Sequence, residues 1–323
     1  MNQIKKQKNC CFISSLNNNI LLSINNETLF NEISFGDKNL YLNFYIRNNK
    51  IFYYNDSKIF EYVDNEFQLK FEKKEYSTII KTSEDCYICY KRVSRKEDLI
   101  SFFEKGNLKW EIITSDFYNN ISPNYFTVFE RFIENKFSIF NNSNNKLWSF
   151  EFPSGFSIYI KPYLVSNILY FTAYDQFQKN QLVTGLDLET GAIVWQHMYD
   201  VTSANKFISA PVFNEKDQLI YALGPIYQVF NPKTGEIVLE KIFDECKNYN
   251  LLVDAQAIYD NKLWFVSGGG KNTKFGYVNI DTHQLEFIQD LPHEEYEVFD
   301  IPVFHEDKLY LRGKHQNNLY VFE

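Results

Sequence analysis

The chain has few cysteines, no excess of basic charge and no long hydrophobic run, and each shortage argues against a class of protein. Five scattered cysteines in 323 residues are not a disulfide framework, which favours a reducing compartment. A net charge of −8 argues against binding to nucleic acid through phosphate contacts. No stretch is long enough to span a membrane, and residues 5–16 make a poor export signal. We therefore expect a cytoplasmic protein that binds neither nucleic acid nor membranes.

Aromatic residues are abundant: 18% of the chain is Phe, Tyr or Trp, with 31 Phe and 23 Tyr. Aromatic and β-branched side chains suit the half-buried, pleated surface of a β-sheet. A hydrophobic content of 45% is ample for a core. Large all-β folds of this length are often one domain, so we expect residues 1–323 to form a single all-β domain.

Residues 185–195 predict a β-hairpin. An apolar alternation enters the tight turn Asp-Leu-Glu-Thr-Gly at positions 187–191, and a second alternation leaves it and reaches Trp195. Gly191 supplies the positive φ that such a turn needs, and Asp187 and Thr190 can hydrogen-bond the turn backbone. This hairpin is the unit from which the architecture is inferred.

Copies of the hairpin recur along the chain. Each copy has a Gly, Asn or His in the turn and an apolar anchor four residues later, and the anchors are 38 to 48 residues apart. The anchors are Phe30, Leu69, Trp110, Trp148, Trp195, Leu239 and Phe287. A second mark, beginning at Pro162, Pro211, Ala257 and Pro302, repeats every 45 to 49 residues. Four strands in each such period is the signature of a β-propeller blade.

Seven anchors predict seven four-stranded blades, with six or eight left open. Residues 317–322, at the end of the chain, resemble a third strand with no fourth strand after it. We expect residues 21–33 to supply that strand, because an open ring would expose unpaired strand edges.

The segment at residues 187–195 resembles the quinoprotein-type, or PQQ-like, propeller repeat, and residues 231–239 resemble it in part. The resemblance implies a propeller of that type, similar in architecture to WD40-like propellers. The quinone enzymes that share this repeat have eight blades, an export signal, a metal ion and a disulfide between adjacent cysteines. Cys10 and Cys11 are adjacent but precede the first predicted blade, so we expect neither a quinone cofactor nor a metal.

Three further motifs have simpler structural interpretations. Cys86 and Cys89 lie in an alternating strand, where residues three apart face opposite sides and cannot share a metal. Residues 268–271, Gly-Gly-Gly-Lys, precede a strand rather than the helix of a phosphate loop. This favours a loop between the second and third strands of a blade, which we call a B–C loop. The acidic run that begins at His293 is typical of a solvated loop rather than a metal site.

Charge is distributed unevenly, with a net of +2 over residues 1–150 and −10 over residues 151–323. In a propeller, the loops that follow the fourth strand (D–A loops) share one face with the B–C loops. Two successive D–A loops carry carboxylates and tyrosines, a combination that suits a basic protein partner. The predicted partner-binding residues are Asp244, Glu245, Tyr249, Glu294, Glu295, Tyr296, Glu297 and Asp300.

No catalytic residue can be identified from spacing, and no cofactor is implied. The sequence therefore favours a non-catalytic, protein-binding propeller, for instance an immunity protein that masks a basic toxin domain. Two alternatives stay open. One is an enzyme acting in the central funnel, for instance on a carbohydrate, and the other is a structural scaffold or assembly factor.

Overall fold

The structure is a computed structural model of the chain, and almost all of its described residues lie in strands and turns. It describes residues 1–323 except 9, 17–18, 25–26, 31–32, 35–43, 48–49, 56–57, 65, 84, 123, 131–134, 176–179, 201–210, 247–250, 268–272 and 292–296. A single 3-10 turn, Asp244–Cys246, is the only helical element in this described part. No helix there has the length and apolar character to cross a membrane.

Thirty-two strands in the described part form eight antiparallel four-stranded sheets, which we number as blades 1 to 8. The first two blades are blade 1, with β2 (Cys10–Leu16), β3 (Asn19–Ile24), β4 (Glu27–Phe30) and β5 (Ile33–Ser34), and blade 2, with β6 (Phe44–Arg47), β7 (Lys50–Asn55), β8 (Lys58–Val63) and β9 (Glu66–Glu72). Blade 3 has β10 (Thr78–Ser83), β11 (Cys86–Arg92), β12 (Asp98–Glu104) and β13 (Asn107–Thr114), and blade 4 has β14 (Phe117–Ser122), β15 (Tyr125–Phe129), β16 (Lys136–Asn141) and β17 (Lys146–Glu151).

The remaining blades follow the same order, with one exception at the end. Blade 5 has β18 (Phe156–Val165), β19 (Ile168–Asp175), β20 (Asn180–Asp187) and β21 (Ile193–Asp200), and blade 6 has β22 (Val212–Asn214), β23 (Leu219–Leu223), β24 (Tyr227–Phe230) and β25 (Ile237–Lys241). Blade 7 has β26 (Leu251–Tyr259), β27 (Lys262–Ser267), β28 (Lys274–Asn279) and β29 (Gln284–Asp290). Blade 8 has β30 (Val303–His305), β31 (Lys308–Arg312) and β32 (Leu319–Phe322), and its fourth strand is β1 (Gln3–Gln7).

The prediction of an all-β propeller with four-stranded blades is confirmed. The blade count is eight, which the sequence analysis left open, rather than the seven that it favoured. The difference arises at the N-terminus, where the repeat signal is weakest. Residues 1–34 supply five strands, β1 to β5, where the anchor pattern indicated one strand only.

Contacts divide the chain into two compact units, which are described separately. The first unit comprises residues 1–49, 205–231 and 236–323, and the second comprises residues 50–204 and 232–235. Blades 1, 7 and 8 lie in the first unit with the strands of blade 6. Blades 3, 4 and 5 lie in the second unit with strands β7 to β9 of blade 2. That residues 1–323 form one domain stays a prediction.

Burial follows strand position in blades 3 to 6. The second and third strands are buried on both faces, as in β19, β20 and β24, so their residues form nearly continuous apolar runs. The fourth strands alternate between exposed and partly buried residues, as in β13 and β17. In blades 3 to 6, the fourth strand therefore has one face against protein and one face in solvent.

Tryptophans of the second unit link successive blades. Trp110 donates its indole N–H to the carbonyl oxygen of Asn142 at 2.6 Å, and Trp148 donates to that of Leu188 at 2.8 Å. Trp195 donates to the carbonyl oxygen of Pro232, also at 2.8 Å. All three acceptors lie in the turn between the third and fourth strands of the next blade. At these three positions the repeated anchor is thus both a packing residue and a hydrogen-bond donor.

The rings of Trp148 and Trp195 pack directly on turn glycines of the next blade. Gly191 and Gly235 have φ of +73° and +72°, in the left-handed region that favours glycine. A Cβ on Gly191 would overlap the ring of Trp148, and one on Gly235 would overlap the ring of Trp195. Each glycine is therefore required for its backbone conformation and for the close approach of the preceding tryptophan.

The predicted turn at Asp187 is confirmed in detail. The Asp187 carboxylate accepts hydrogen bonds from the Thr190 hydroxyl at 2.7 Å and from the Thr190 amide at 2.8 Å. These bonds hold the pKa of Asp187 below its usual value. Left-handed φ is also found at the turn residues Gly106, Asn144 and His283, while Asn26 and Asn65 lie outside the described residues.

The six anchors from Leu69 to Phe287 all lie on fourth strands, as predicted. Burial is confirmed for Trp195, but Leu69 is 51% exposed. Phe71, two residues later on β9, takes the buried position, and its ring stacks on Tyr87 of blade 3 with centroids 4.1 Å apart. Leu69 was therefore the wrong anchor in that blade. Phe30 lies on β4, the third strand of blade 1, rather than on a fourth strand.

An N-terminal strand pairs with the last strand, as predicted, but the segment that was predicted to do so is wrong. β1, at Gln3–Gln7, pairs antiparallel with β32, from Gln3 opposite Phe322 to Gln7 opposite Leu319. Residues 21–33, the segment expected there, instead supply strands of blade 1. The long N-terminal segment provides β1 and β2 before the first recognisable repeat, which accounts for the shift.

Deleting residues 2–7 is expected to produce insoluble protein or a large fall in melting temperature. The deletion removes β1 and leaves β32 with an unpaired apolar edge. A matched variant replaces Lys5 and Lys6 with serine, which keeps the strand and its backbone pairing, and should melt close to wild type. Thermal unfolding of both variants provides the measurement, and a deletion as soluble and stable as the full chain would contradict the role of β1.

Candidate functional site

The first predicted D–A loop follows β25 in the first unit. Asp244 and Glu245 lie on the 3-10 turn Asp244–Cys246, and both are exposed. Ile242, two residues before them, is 49% exposed. This loop therefore presents carboxylates beside an apolar side chain. Tyr249, predicted to belong to the same loop, lies outside the described residues.

The second predicted D–A loop follows β29, and Glu297 in this loop is not a surface charge. Glu294, Glu295 and Tyr296 lie outside the described residues. Glu297 is 0% exposed, and its carboxylate accepts hydrogen bonds from the Tyr320 hydroxyl at 2.8 Å and the Asn318 amide at 3.3 Å. Its side chain also packs on Gly313, where a Cβ would overlap the carboxylate. The expectation that Glu297 faces solvent is therefore corrected.

Asp300, the last predicted residue of that loop, is also engaged within the chain. Its carboxylate forms an ion pair with Arg312 and a second with Lys314 at 3.3 Å. Arg312 also donates to the carbonyl oxygen of Cys10 at 3.4 Å. Asp300 is half-buried, and its charge is neutralised. These contacts join the loop to blades 1 and 8, which gives Asp300 a role in holding the first unit together.

Charge reasoning missed a second set of carboxylates at the opposite ends of the strands. In the first unit, exposed acidic side chains recur in the turns that join first to second strands or third to fourth strands. They are Glu215, Asp217, Asp260, Asp281, Glu306 and Asp307. The signal was present in the sequence, because polar residues follow each of the repeats that begin at Pro211, Ala257 and Pro302.

The cysteine motif is structural within the described part of the chain. Cys86 and Cys89 both lie on β11, and both are buried free thiols. Burial raises the pKa of Cys89 to about 12, so this thiol is protonated at neutral pH and is not a reactive nucleophile. Residues 268–271 and His293 lie outside the described residues. No group of three or more His, Cys, Asp or Glu side chains among the described residues is arranged to hold a metal ion.

His283 occupies a turn, as predicted, and is tied to the surrounding blades of the first unit. Its Nδ1 lies 3.0 Å from the Tyr227 hydroxyl, and its carbonyl oxygen accepts from Lys241 at 2.9 Å. Burial lowers the pKa of His283, and the neighbouring Lys241 charge adds to the effect. The imidazole is therefore neutral at physiological pH, and its hydrogen bond with Tyr227 connects this turn to blade 6.

A cavity of about 360 Å³ lies in the second unit, beside β10, β11, β12 and β14. Asp98 and Asp116 both line it, as does the exposed ring of Phe117. Asp98 forms an ion pair with Arg92 at 2.9 Å, so the two carboxylates are not an equivalent pair. No histidine or cysteine lines this cavity.

Comparison with known proteins identifies the fold alone. No protein-family model matches the chain, and no curated protein matches it. BamB from Moraxella catarrhalis is 13% identical, over 99% of this chain and 98% of its own, with a TM-score of 0.56. Saccharomyces cerevisiae Sqt1 is 11% identical, over 99% of this chain and 96% of its own, also with a TM-score of 0.56.

A europium-containing methanol dehydrogenase is 10% identical, over 74% of this chain and 63% of its own, with a TM-score of 0.52. At these identities, similarity carries no information on activity or partner. The quinoprotein-type resemblance therefore holds at the level of the propeller fold.

Glu297→Ala is expected to destabilise the fold by about 1–3 kcal/mol, because Tyr320 and Asn318 lose a buried acceptor. Glu245→Ala, on the exposed turn, should change stability by less than about 0.5 kcal/mol. Denaturant titration of the two variants gives the comparison. Equal effects would show that Glu297 does not have the buried structural role described here.

Proposed function

We propose that the chain is a non-catalytic propeller that binds a basic protein through the D–A loops of its C-terminal blades. The observation that carries the proposal is the pairing of exposed carboxylates with an exposed apolar side chain in the loop that follows β25. Asp244 and Glu245 follow the exposed Ile242, and the next D–A loop exposes Ile301, which is 46% exposed. Protein interfaces combine an apolar contact area with a charged rim in this way.

The predicted residues outside the described part belong to the same proposed surface. Tyr249, Glu294, Glu295 and Tyr296 fall in these two loops, and they would add carboxylates and aromatic contact area. Glu297 and Asp300 are left out, because one is buried and the other is neutralised within the chain. The remaining carboxylates would mainly accelerate association with a basic partner by long-range attraction, while the apolar groups would slow dissociation.

A basic toxin domain in the cytoplasm is one partner of this kind, and this chain would then be its immunity protein. The support for this is the excess of acid over residues 151–323 and the absence of a catalytic motif in the sequence. The protein encoded by the neighbouring gene is the first partner to test, because toxin and immunity genes are usually neighbours. Rescue of growth on co-expression would support this form of the proposal.

Two double variants locate the binding surface. Asp244→Lys with Glu245→Lys reverses charge in a D–A loop, and Glu189→Lys with Glu215→Lys makes the same change of +4 in exposed turns at the other strand ends. The first variant should slow association of the co-purifying partner about tenfold at low salt, whereas the second should slow it much less. Surface plasmon resonance at low and high salt measures both rates.

Equal slowing by the two variants would show that the association rate depends on net charge and not on where the charges lie. That result would contradict the proposed binding surface. Thermal unfolding provides the control for folding, since exposed charges contribute little to stability. If no basic protein co-purifies with the wild-type chain, the protein-binding proposal itself fails. The enzyme and scaffold alternatives would then take its place.

A further inference from the structure

Among the described residues, no strand pairs with the outer edge of β21, the fourth strand of blade 5. β21 (Ile193–Asp200) is the last strand of its sheet and pairs with β20 alone. Its face toward the next blade is covered, because Trp195 is buried and the Nε2 of His197 lies 2.6 Å from the carbonyl oxygen of Gly235. The opposite face and the outer edge are therefore the parts of β21 that a partner can reach.

The backbone of β21 directs hydrogen-bonding groups toward this edge. The ladder with β20 begins at the turn, where the Asp187 N–H donates to the Ala192 carbonyl oxygen at 2.9 Å, and Val194 is the extra residue of a bulge. Hydrogen-bonded and non-hydrogen-bonded pairs alternate along an antiparallel ladder. Counting from the turn, Gln196 and Met198 fall on non-hydrogen-bonded pairs, so their N–H and C=O groups point outward. The open edge therefore has donors and acceptors at alternate residues, as a strand that pairs with another chain requires.

The side chains of β21 alternate in the same way. Val194, Gln196 and Met198 are exposed, whereas Trp195 is buried and His197 is half-buried. The exposed fractions of the Val194 and Met198 side chains are 46% and 62%. Two exposed apolar side chains four residues apart, beside outward-facing main-chain groups, match the alternate side chains of an extended segment.

β21 lacks the charges that protect the other fourth strands of blades 2 to 7. Each of the other five exposes a lysine or a glutamate within the strand. These residues are Lys70, Glu111, Lys146, Glu240 and Glu286. β21 has no Lys, Arg, Asp or Glu before its last residue, Asp200. Because charged side chains on an edge strand oppose pairing with another chain, β21 is the strand of this set that is open to pairing.

Charges at the two ends of β21 indicate which kind of segment pairs with it. Glu189 precedes the strand and Asp200 ends it, and both are exposed, with no Lys, Arg, Asp or Glu between them. A segment with basic residues at its ends and apolar residues between them complements this pattern. A second copy of the chain does not, because pairing of two β21 strands in either direction would bring acidic ends together. The net charge of −8 adds to that repulsion.

We propose that the outer edge of β21 binds an extended segment of another protein, which adds a strand to blade 5. Main-chain hydrogen bonds to Gln196 and Met198 hold the segment, and its alternate apolar side chains pack beside Val194 and Met198. A basic residue at each end of the segment lies near Glu189 or Asp200. This site is outside the D–A loops, so it goes beyond the proposed function, and either proposal can fail without the other.

The probe is the fluorescein-labelled peptide Lys-Thr-Val-Thr-Val-Thr-Val-Thr-Lys-amide, titrated with the full chain and followed by fluorescence anisotropy. The same peptide with an N-methyl group on every inner residue keeps the side chains and charges but has no inner N–H donors. It should bind at least about tenfold more weakly, because the main-chain bonds to β21 are lost. Replacing both lysines of the probe with glutamates should weaken binding about fivefold, because the acidic ends of β21 then repel the peptide.

Met198→Glu in the full chain tests where the peptide binds. The new carboxylate would attract the lysines of the probe, but it places a charge on the edge strand, so binding should weaken about fivefold. Ile113→Glu makes the same change on β13, where Ile113 is 56% exposed, and should leave binding within about twofold of wild type. Thermal unfolding of both variants provides the control for folding. Hydrogen exchange should show that the bound peptide protects residues 193–200.

The inference is overturned if the parent peptide does not bind, or if the N-methylated peptide binds equally well. It is also overturned if Met198→Glu strengthens binding, or if Met198→Glu and Ile113→Glu have equal effects. A wild-type dimer that Met198→Glu converts to a monomer, measured by analytical ultracentrifugation, would show that a second copy occupies the edge and would overturn the choice of partner.

Discussion

The hydrogen bond from an anchor tryptophan to a turn carbonyl of the next blade is the contact on which the repeat depends. It positions the ring, and at Trp148 and Trp195 the ring in turn requires glycine at the end of that turn. Trp195 shows both effects, since it donates to Pro232 and packs directly over Gly235. In the second unit, the sequence pattern of turn, glycine and tryptophan therefore reflects one kind of contact between successive blades, made by Trp148 and again by Trp195.

Local chemistry made this part of the fold predictable. The turn at Asp187 and the fourth-strand position of Trp110, Trp148 and Trp195 both follow from patterns that extend over a few residues. The N-terminal strands were not predictable in the same way, because β1 and β2 lack the turn and anchor signals. Phe71 replaces Leu69 because two apolar residues of β9 lie two apart, and pattern alone does not choose between them.

Surface and interior charges could not be separated from sequence. Glu297 lies in an acidic run, which is typical of a solvated loop, yet Tyr320, Asn318 and Gly313 from blade 8 enclose it. Those residues are at least 16 positions away in the chain, so their proximity depends on tertiary structure. The indole N–H of Trp264 on β27 is buried and has no hydrogen-bond partner among the described residues, and this could not be predicted from sequence for the same reason. Functional inference in this fold therefore depends on how the loops and blades pack, and the repeat contributes mainly the scaffold.

A comparison of two glycine substitutions tests the central claim most directly. Gly106 and Gly235 both have left-handed φ, +79° and +72°, but a Cβ on Gly106 would meet nothing within 4 Å, while one on Gly235 would overlap the ring of Trp195. Gly106→Ala should lower the free energy of unfolding by about 1–2 kcal/mol from backbone strain alone. Gly235→Ala should cost about 1–3 kcal/mol more, because the ring must move from its site. Equal losses in denaturant titration would contradict the claim that the tryptophan contact determines the repeat.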